Sequence, residues 1–200
     1  MIVRDEEKML QDFLKNIKSY VDEIIIVDTG SKDRTKEIAL NFTKNVYDFR
    51  WDDDFSAARN FSISKAAGDW IVVLDPDELI GNKDLIKIKK IVNESKVGIL
   101  GYRLIQKTFY KNTIISVRGI CRLFRNDKQI RFVYPVHETV RESIKSLHKK
   151  IGKTGIIINH YPNLNEKKRD YYLKLLKVKK DRFPESNVDK EIMLELGQQF

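Results

Sequence analysis

The run Trp70-Ile71-Val72-Val73-Leu74 constrains this chain more than any other stretch. It lies between Gly68-Asp69 and the acid cluster Asp75-Pro76-Asp77-Glu78. An unbroken apolar run of this length reads as a strand covered on both faces, the kind found in a parallel sheet. Pro76 has no N–H to give to a ladder, so the strand must stop near Asp75. In open α/β sheets, ligands bind just beyond the carboxyl ends of strands. Asp75 and Asp77 stand at such an end. Two hard oxygen donors one residue apart suit Mg2+ or Mn2+. The same acids also suit a helix start, with Asp77 or Glu78 as its cap. Both readings stay open at this point.

The chain before this run alternates strand and helix. Met1-Ile2-Val3 reads as the tail of a first strand. Leu10, Phe13, Leu14, Ile17 and Val21 recur at helical spacing. Glu23 to Asp28 is a second strand and also ends in an acid. Ser31 or Asp33 then caps a helix carrying Ile38, Ala39 and Phe42, and Asn45 to Phe49 is a third strand. A helix opens after Trp51 and runs to about Ala67. This alternation calls for a parallel sheet with helical crossovers. Parallel strands all point one way, so Asp5, Asp28 and Asp75 gather along one edge. That convergence points to a metal and a nucleotide.

Beyond Val97 the texture changes. A helix with Leu85, Ile88, Ile91 and Val92 gives way to β-rich stretches at Ile99 to Thr108, Thr113 to Phe124 and Ile130 to Val140. Ile156 to Pro162 is one more strand. Glu166 to Arg182 is a basic amphipathic helix stopped by Pro184, and Val188 to Phe200 begins another. With a strand clipped at Met1 and a helix cut at Phe200, the chain is expected to be a fragment of a longer protein.

At 200 residues and 42% hydrophobic content, a globular domain with a small appendage is expected. Cys121 is the sole cysteine, so no internal disulfide is possible, which fits a reducing cytoplasm. The net charge of +9 favours an anionic partner: a phosphorylated substrate, nucleic acid or a lipid surface. No zinc-finger spacing or RNA-binding aromatic signature accompanies it, so nucleic acid is not expected. A solvated lysine-rich surface explains the charge better than nucleic acid does. No Gly-x-Gly-x-x-Gly is present, which excludes a Rossmann dehydrogenase. A nucleotidyltransferase would need a glycine-rich basic loop where Arg4-Asp5-Glu6-Glu7 stands. A basic adaptor without enzymatic activity, binding nucleic acid or anionic membrane through the helix from Lys167 to Arg182, is the other class.

Three segments resemble family-2 glycosyltransferases: EIIIVDTGSKDRT from Glu23 to Thr35, FSAARN from Phe55 to Asn60, and GDWIVVLDPDE from Gly68 to Glu78. More narrowly they resemble the cytoplasmic bacterial subgroup that often carries tetratricopeptide repeats after the catalytic domain. Arg4-Asp5-Glu6 departs from that subgroup's usual Lys/Arg-Asn-Glu opening, and Pro76 from the usual Ala between the acids. The likeness is dense from Met1 to Glu78 and continues through Val136-His137-Glu138 and His160-Tyr161.

The resemblance implies a GT-A fold, a Rossmann-like and mostly parallel sheet flanked by helices. A β-rich acceptor-side section and C-terminal helices would complete it. The catalytic domain would span 1–162, with a nucleotide half at 1–96 and an acceptor half at 97–162. Residues 163–200 would start a helical or repeat region. The implied donor is a nucleoside-diphosphate sugar, most simply a UDP-sugar. The implied acceptor is a hydroxyl on a glycan, lipid or protein, and the implied cofactor is Mn2+ or Mg2+. By likeness Asp5, Glu6 and Asp28 contact the nucleoside. Asp77 holds the metal, and Asp75 meets the ribose and metal-bound water. Arg59 would meet the diphosphate or pair with Asp52, Asp53 or Asp54. His160 is a third metal ligand, a diphosphate contact or a strand-end cap. Glu138 is the general base or the partner of Arg131 or Arg141. The basic C-terminal helix is also a candidate for peripheral membrane contact.

Overall fold

Apolar periodicity and strand-ending acids place most elements where the sequence expects them. A computed structural model describes residues 1–162 and 166–183, with side chains for 1–162 and 170–183. The expectations for Pro184 and for Val188 to Phe200 lie outside the described residues. The elements run β1 (Ile2–Val3), α1 (Glu7–Ile17), β2 (Ile26–Asp28), α2 (Thr35–Leu40), β3 (Val46–Asp48), α3 (Phe55–Ser64), β4 (Trp70–Val72), β5 (Glu78–Ile80), α4 (Asn82–Asn93), β6 (Ile99–Tyr110), β7 (Thr113–Arg125), α5 (Arg141–Ser146), β8 (Lys150–His160) and α6 (Glu166–Arg182). Two sheets result. One has three strands in the order β1-β2-β3, all parallel. The other has five, in the order β4-β7-β6-β8-β5.

The apolar face of α1 (Leu10, Phe13, Leu14 and Ile17) is fully packed. It joins Val3 and Ile26 of the parallel sheet and Leu104, Ile156 and Ile158 of the mixed sheet in one core. Burying a Leu or Phe side chain stabilises by roughly 1.5–3 kcal/mol, so this shared core holds the two sheets together. A second cluster around Phe124, Phe132 and Ile144 packs on the other side of the mixed sheet.

Two expectations differ from the fold. Trp70 to Leu74 is not a parallel strand with two buried faces. Its strand residues are half-buried, and β4 pairs antiparallel with β7, Trp70 opposite Arg125 and Val72 opposite Leu123. An apolar run reports that cover exists, not which strand lies beside it. Ile130 to Val140 is not β-rich either. It is a loop with one bridge, Val133 to Thr139. Its backbone groups bond instead to α3: Asn60 Nδ2 donates to Phe132 O, Asn60 Oδ1 accepts from Phe132 N, and Ser56 Oγ donates to Tyr134 O. The loop is strained, since Tyr134 and His137 have φ of 76° and 52°.

Candidate active site

The turn after β4 sends its three carboxylates in three directions. The Glu78 N–H donates to Asp75 O at 3.0 Å, closing a turn with Pro76 at its second position. Glu78 then points into the core at 1% exposure. Its Oε2 accepts the Asp75 N–H at 2.9 Å, and its Oε1 accepts from Gln106 Nε2 at 2.6 Å. Burial pushes its carboxyl up from the usual range. It is scaffold. Neither Asp77 nor Glu78 caps α4, whose N-cap is Gly81.

Asp75 turns to two arginines. Arg59 Nη1 and Nη2 donate to its two oxygens at 3.1 and 2.8 Å, and Arg122 Nη2 lies 3.5 Å away. Burial alone would raise its carboxyl, but the guanidiniums of Arg59 and Arg122 outweigh that and hold it well below the usual carboxylate range. Arg59 also donates its Nε to Glu138 Oε1. One guanidinium therefore clamps two carboxylates that lie 63 positions apart in sequence. For Glu138, too, burial acts upward and Arg59 and Arg122 act downward, leaving the group more acidic than usual. The surface partners read for Arg59 at Asp52, Asp53 and Asp54 and for Glu138 at Arg131 and Arg141 are not the ones used. Arg59 sits on the inward face of α3 at 5% exposure, too deep to reach the surface acids.

Asp77 turns to His160. Its Oδ2 lies 3.5 Å from His160 Nε2, and both side chains stay partly open at 23% and 20% exposure. His160 Nδ1 is 3.2 Å from Thr108 Oγ1. The tautomer with its proton on Nδ1, toward Thr108, would present the Nε2 lone pair beside Asp77, as a metal-binding histidine does. Among the described residues no three His, Cys, Asp or Glu side chains converge as a ready-made cage. A carboxylate and an imidazole with room beside them nevertheless fit Mn2+ or Mg2+, which complete their shells with phosphate oxygens and water. Asp75, with both oxygens on Arg59, stands beside this pair rather than in it.

The parallel sheet supplies a second locus. Asp28 ends β2 with Oδ1 accepting the Gly30 and Ser31 N–H groups at 2.7 Å each. Its Oδ2 is buried with no partner among the described residues. A buried carboxylate oxygen left unpaired is costly and suits a ligand N–H. Asp5, at φ 54°, accepts from Lys32 N at 2.7 Å, and its own N–H donates to Ser31 Oγ. The Glu6 N–H donates to Thr35 Oγ1 at 2.7 Å. These two residues thus brace the loop around Asp28. Asp33 accepts from Thr35 N and Glu7 N, tying the start of α2 to the start of α1.

Four further residues take part to which the sequence assigns no role. Arg122 is one of many basic residues on a strand. It is 14% exposed, and its Nη1 is buried and unpartnered among the described residues. Asn60 and Ser56 hold the Glu138 loop. Tyr172 of α6 reads as a core aromatic, and its ring stacks on Phe55 at 5.9 Å and lies 6.5 Å from His137. Burial, with the charges of Glu138, Asp75 and Asp77 acting the same way, raises its hydroxyl. α6 therefore roofs the Glu138 side of the site.

The family model described as glycosyl transferase family 2 matches residues 1–136. A TPR repeat-containing protein of Synechococcus elongatus is 39% identical over 167 residues, covering 80% of this chain. The chain spans 41% of that relative's length. The structure of S. aureus TarS 1-349 in complex with UDP-GlcNAc superposes with a TM-score of 0.63 at 14% identity, covering 94% of this chain and 66% of that one. Glucosyl-3-phosphoglycerate synthase from Mycobacterium tuberculosis, solved with Mg2+ and UDP, gives 0.59 at 15% identity, covering 90% and 76%.

Proposed function

This chain belongs to glycosyltransferase family 2 and has the GT-A fold, and on that premise we propose that it moves a sugar from a uridine diphosphate donor to an acceptor hydroxyl. The observation that carries this reading is the turn at Asp75–Glu78. It places Asp77 on His160 and Asp75 on the arginine that also grips Glu138. Donor side and acceptor side are thereby joined through one residue. Similar folds solved with UDP-GlcNAc and with Mg2+ and UDP support a uridine nucleotide and a divalent ion.

In this reading Asp28 Oδ2 receives an N–H of the base, and Asp5 and Glu6 fix the loop that positions it. Asp77 and His160 would hold Mn2+ or Mg2+. When bound, the ion neutralises charge on the departing diphosphate. Arg122 Nη1, without a partner among the described residues, would donate a charge-assisted hydrogen bond to the same oxygens. Glu138 is engaged by Arg59 at Oε1, and Oε2 takes the acceptor proton. The acceptor oxygen then bonds to the anomeric carbon as the bond to the diphosphate breaks. A single displacement of this kind inverts the anomeric centre. Arg59 keeps Glu138 ionised and aimed. Tyr172 and the strained loop at Tyr134–His137 wall the acceptor side, and the acceptor is a glycan, lipid or protein hydroxyl.

Titration calorimetry of UDP with Mn2+, with and without EDTA, tests the donor site. Binding that disappears with EDTA and in Asp77→Ala, while the circular dichroism spectrum stays unchanged, is the expected result. Equal affinity with and without EDTA would exclude the metal role.

A further inference from the structure

The outer face of the mixed sheet is apolar where a solvated face should be polar. On β6 the inward residues Leu104, Gln106 and Thr108 are buried, as are Ile156 and Ile158 on β8. A sheet with one face to water alternates apolar inward and polar outward. Here the outward positions at the hairpin end hold Leu79 of β5, Tyr161 just past β8, Phe109 of β6, and Ile114 and Val117 of β7. Leu79 and Tyr161 are 43% exposed, Ile114 46% and Val117 60%. Phe109 stacks on Tyr161 at 5.0 Å and pairs in register with Ile114. The strands β7, β6, β8 and β5 are consecutive neighbours, so these residues form one stripe across the sheet. A contiguous exposed patch of this kind marks an interaction surface, unlike scattered apolar residues.

Charge selects the partner. The strands β6, β7 and β8 contain no aspartate or glutamate. Arg103 and Lys107 point outward on β6, and Lys111 sits at the hairpin tip beside the exposed Tyr110. Arg103 lies across Gly119, where a Cβ would collide with its guanidinium. Asp84 at the flank is occupied by Lys87 and the Ile157 N–H.

We propose that this sheet face docks the protein on an anionic lipid bilayer. Branched aliphatics and the Phe109–Tyr161 pair enter the headgroup boundary, Tyr161 keeps its hydroxyl in the wet layer, and Arg103, Lys107 and Lys111 meet lipid phosphates. A second copy on the same face would oppose these cations with no acid to answer them. Nucleic acid would leave the exposed aliphatics without a role. The α6 helix is the weaker surface, because Leu175 and Leu176 pack inward against Val136. The inference is independent of the donor chemistry.

Flotation with phosphatidylglycerol-containing vesicles and with pure phosphatidylcholine vesicles tests it. The protein is expected to float only with the anionic vesicles, and less so as salt rises. Ile114→Asp with Val117→Asp, both at exposed positions, should cut vesicle binding by about tenfold or more at unchanged melting temperature, and Lys107→Glu with Lys111→Glu should do the same. Ile86→Asp, 59% exposed on α4, should bind like the parent. No flotation of the parent, equal flotation with neutral vesicles, or unchanged binding by Ile114→Asp with Val117→Asp would overturn the proposal. So would a dimer in sedimentation that these substitutions dissolve.

Discussion

At the residue scale, Arg59 organises the site. Its planar fork satisfies Asp75 bidentately and still reaches Glu138. Removing one partner of a buried ion pair typically costs about 3–5 kcal/mol. Arg59→Met should destabilise by roughly that amount in urea unfolding, whereas Arg59→Met combined with Asp75→Asn and Glu138→Gln should recover part of the loss. Glu138→Gln alone should lower turnover by about 10²–10⁴-fold with donor affinity nearly unchanged. Full turnover in that variant, or a product with retained configuration, would remove Glu138 as the base. The same carboxylates set a pH limb. Asp75 and Glu138 titrate lower folded than their ordinary 3.8 and 4.5. Their contribution is therefore present above the ordinary values and is lost as pH falls below them. Glu78, raised when folded, has the opposite sign: its cost is absent below 4.5 and appears as pH rises through its folded value. Melting temperature should fall from pH 5 to pH 3, and less steeply in Asp75→Asn.

At the element scale, α3 does two jobs with one short motif. Asp54 caps it by accepting the Ala57 N–H at 3.0 Å. Phe55 N, Ser56, Arg59 and Asn60 then each bind a different part of the loop from Phe132 to Glu138. That loop has one bridge of its own, so α3 substitutes for a strand partner. Asn60→Ala leaves the Phe132 N–H and C=O without that partner. It should cost about 1–3 kcal/mol in unfolding and should speed amide exchange in the loop more than in β6. Equal exchange in parent and variant would show that the loop holds itself.

At the scale of the whole molecule, a three-stranded parallel sheet carries Asp28, and a five-stranded mixed sheet carries His160 and Arg122. A ligand spanning the two should stabilise the whole unit. At a hundredfold excess over Kd, the gain is about 2.7 kcal/mol, which for a chain of this size raises the melting temperature by roughly 5–10 °C. UDP with Mn2+ should produce that shift, and EDTA should abolish it.

The sequence by itself determined the elements whose cause is local. Leu10, Phe13, Leu14 and Ile17 define a helix face wherever they land. Asn112 with φ 65° makes the β6–β7 turn. Pro76 shapes the turn that follows β4 and leaves carboxylates beyond a strand end, so a candidate site there was legible from the chain alone. Tertiary structure decided every partnership. Trp70–Val72 met β7 rather than a parallel neighbour because an apolar run is equally satisfied by either. Three adjacent acids took three fates because one turn pointed them at an arginine, a histidine and a glutamine. Glu138 met Arg59 rather than Arg131 or Arg141 because ion pairing depends on distance in space. Only the packing of α3 against the loop at Phe132–Val140 brings the two charges together.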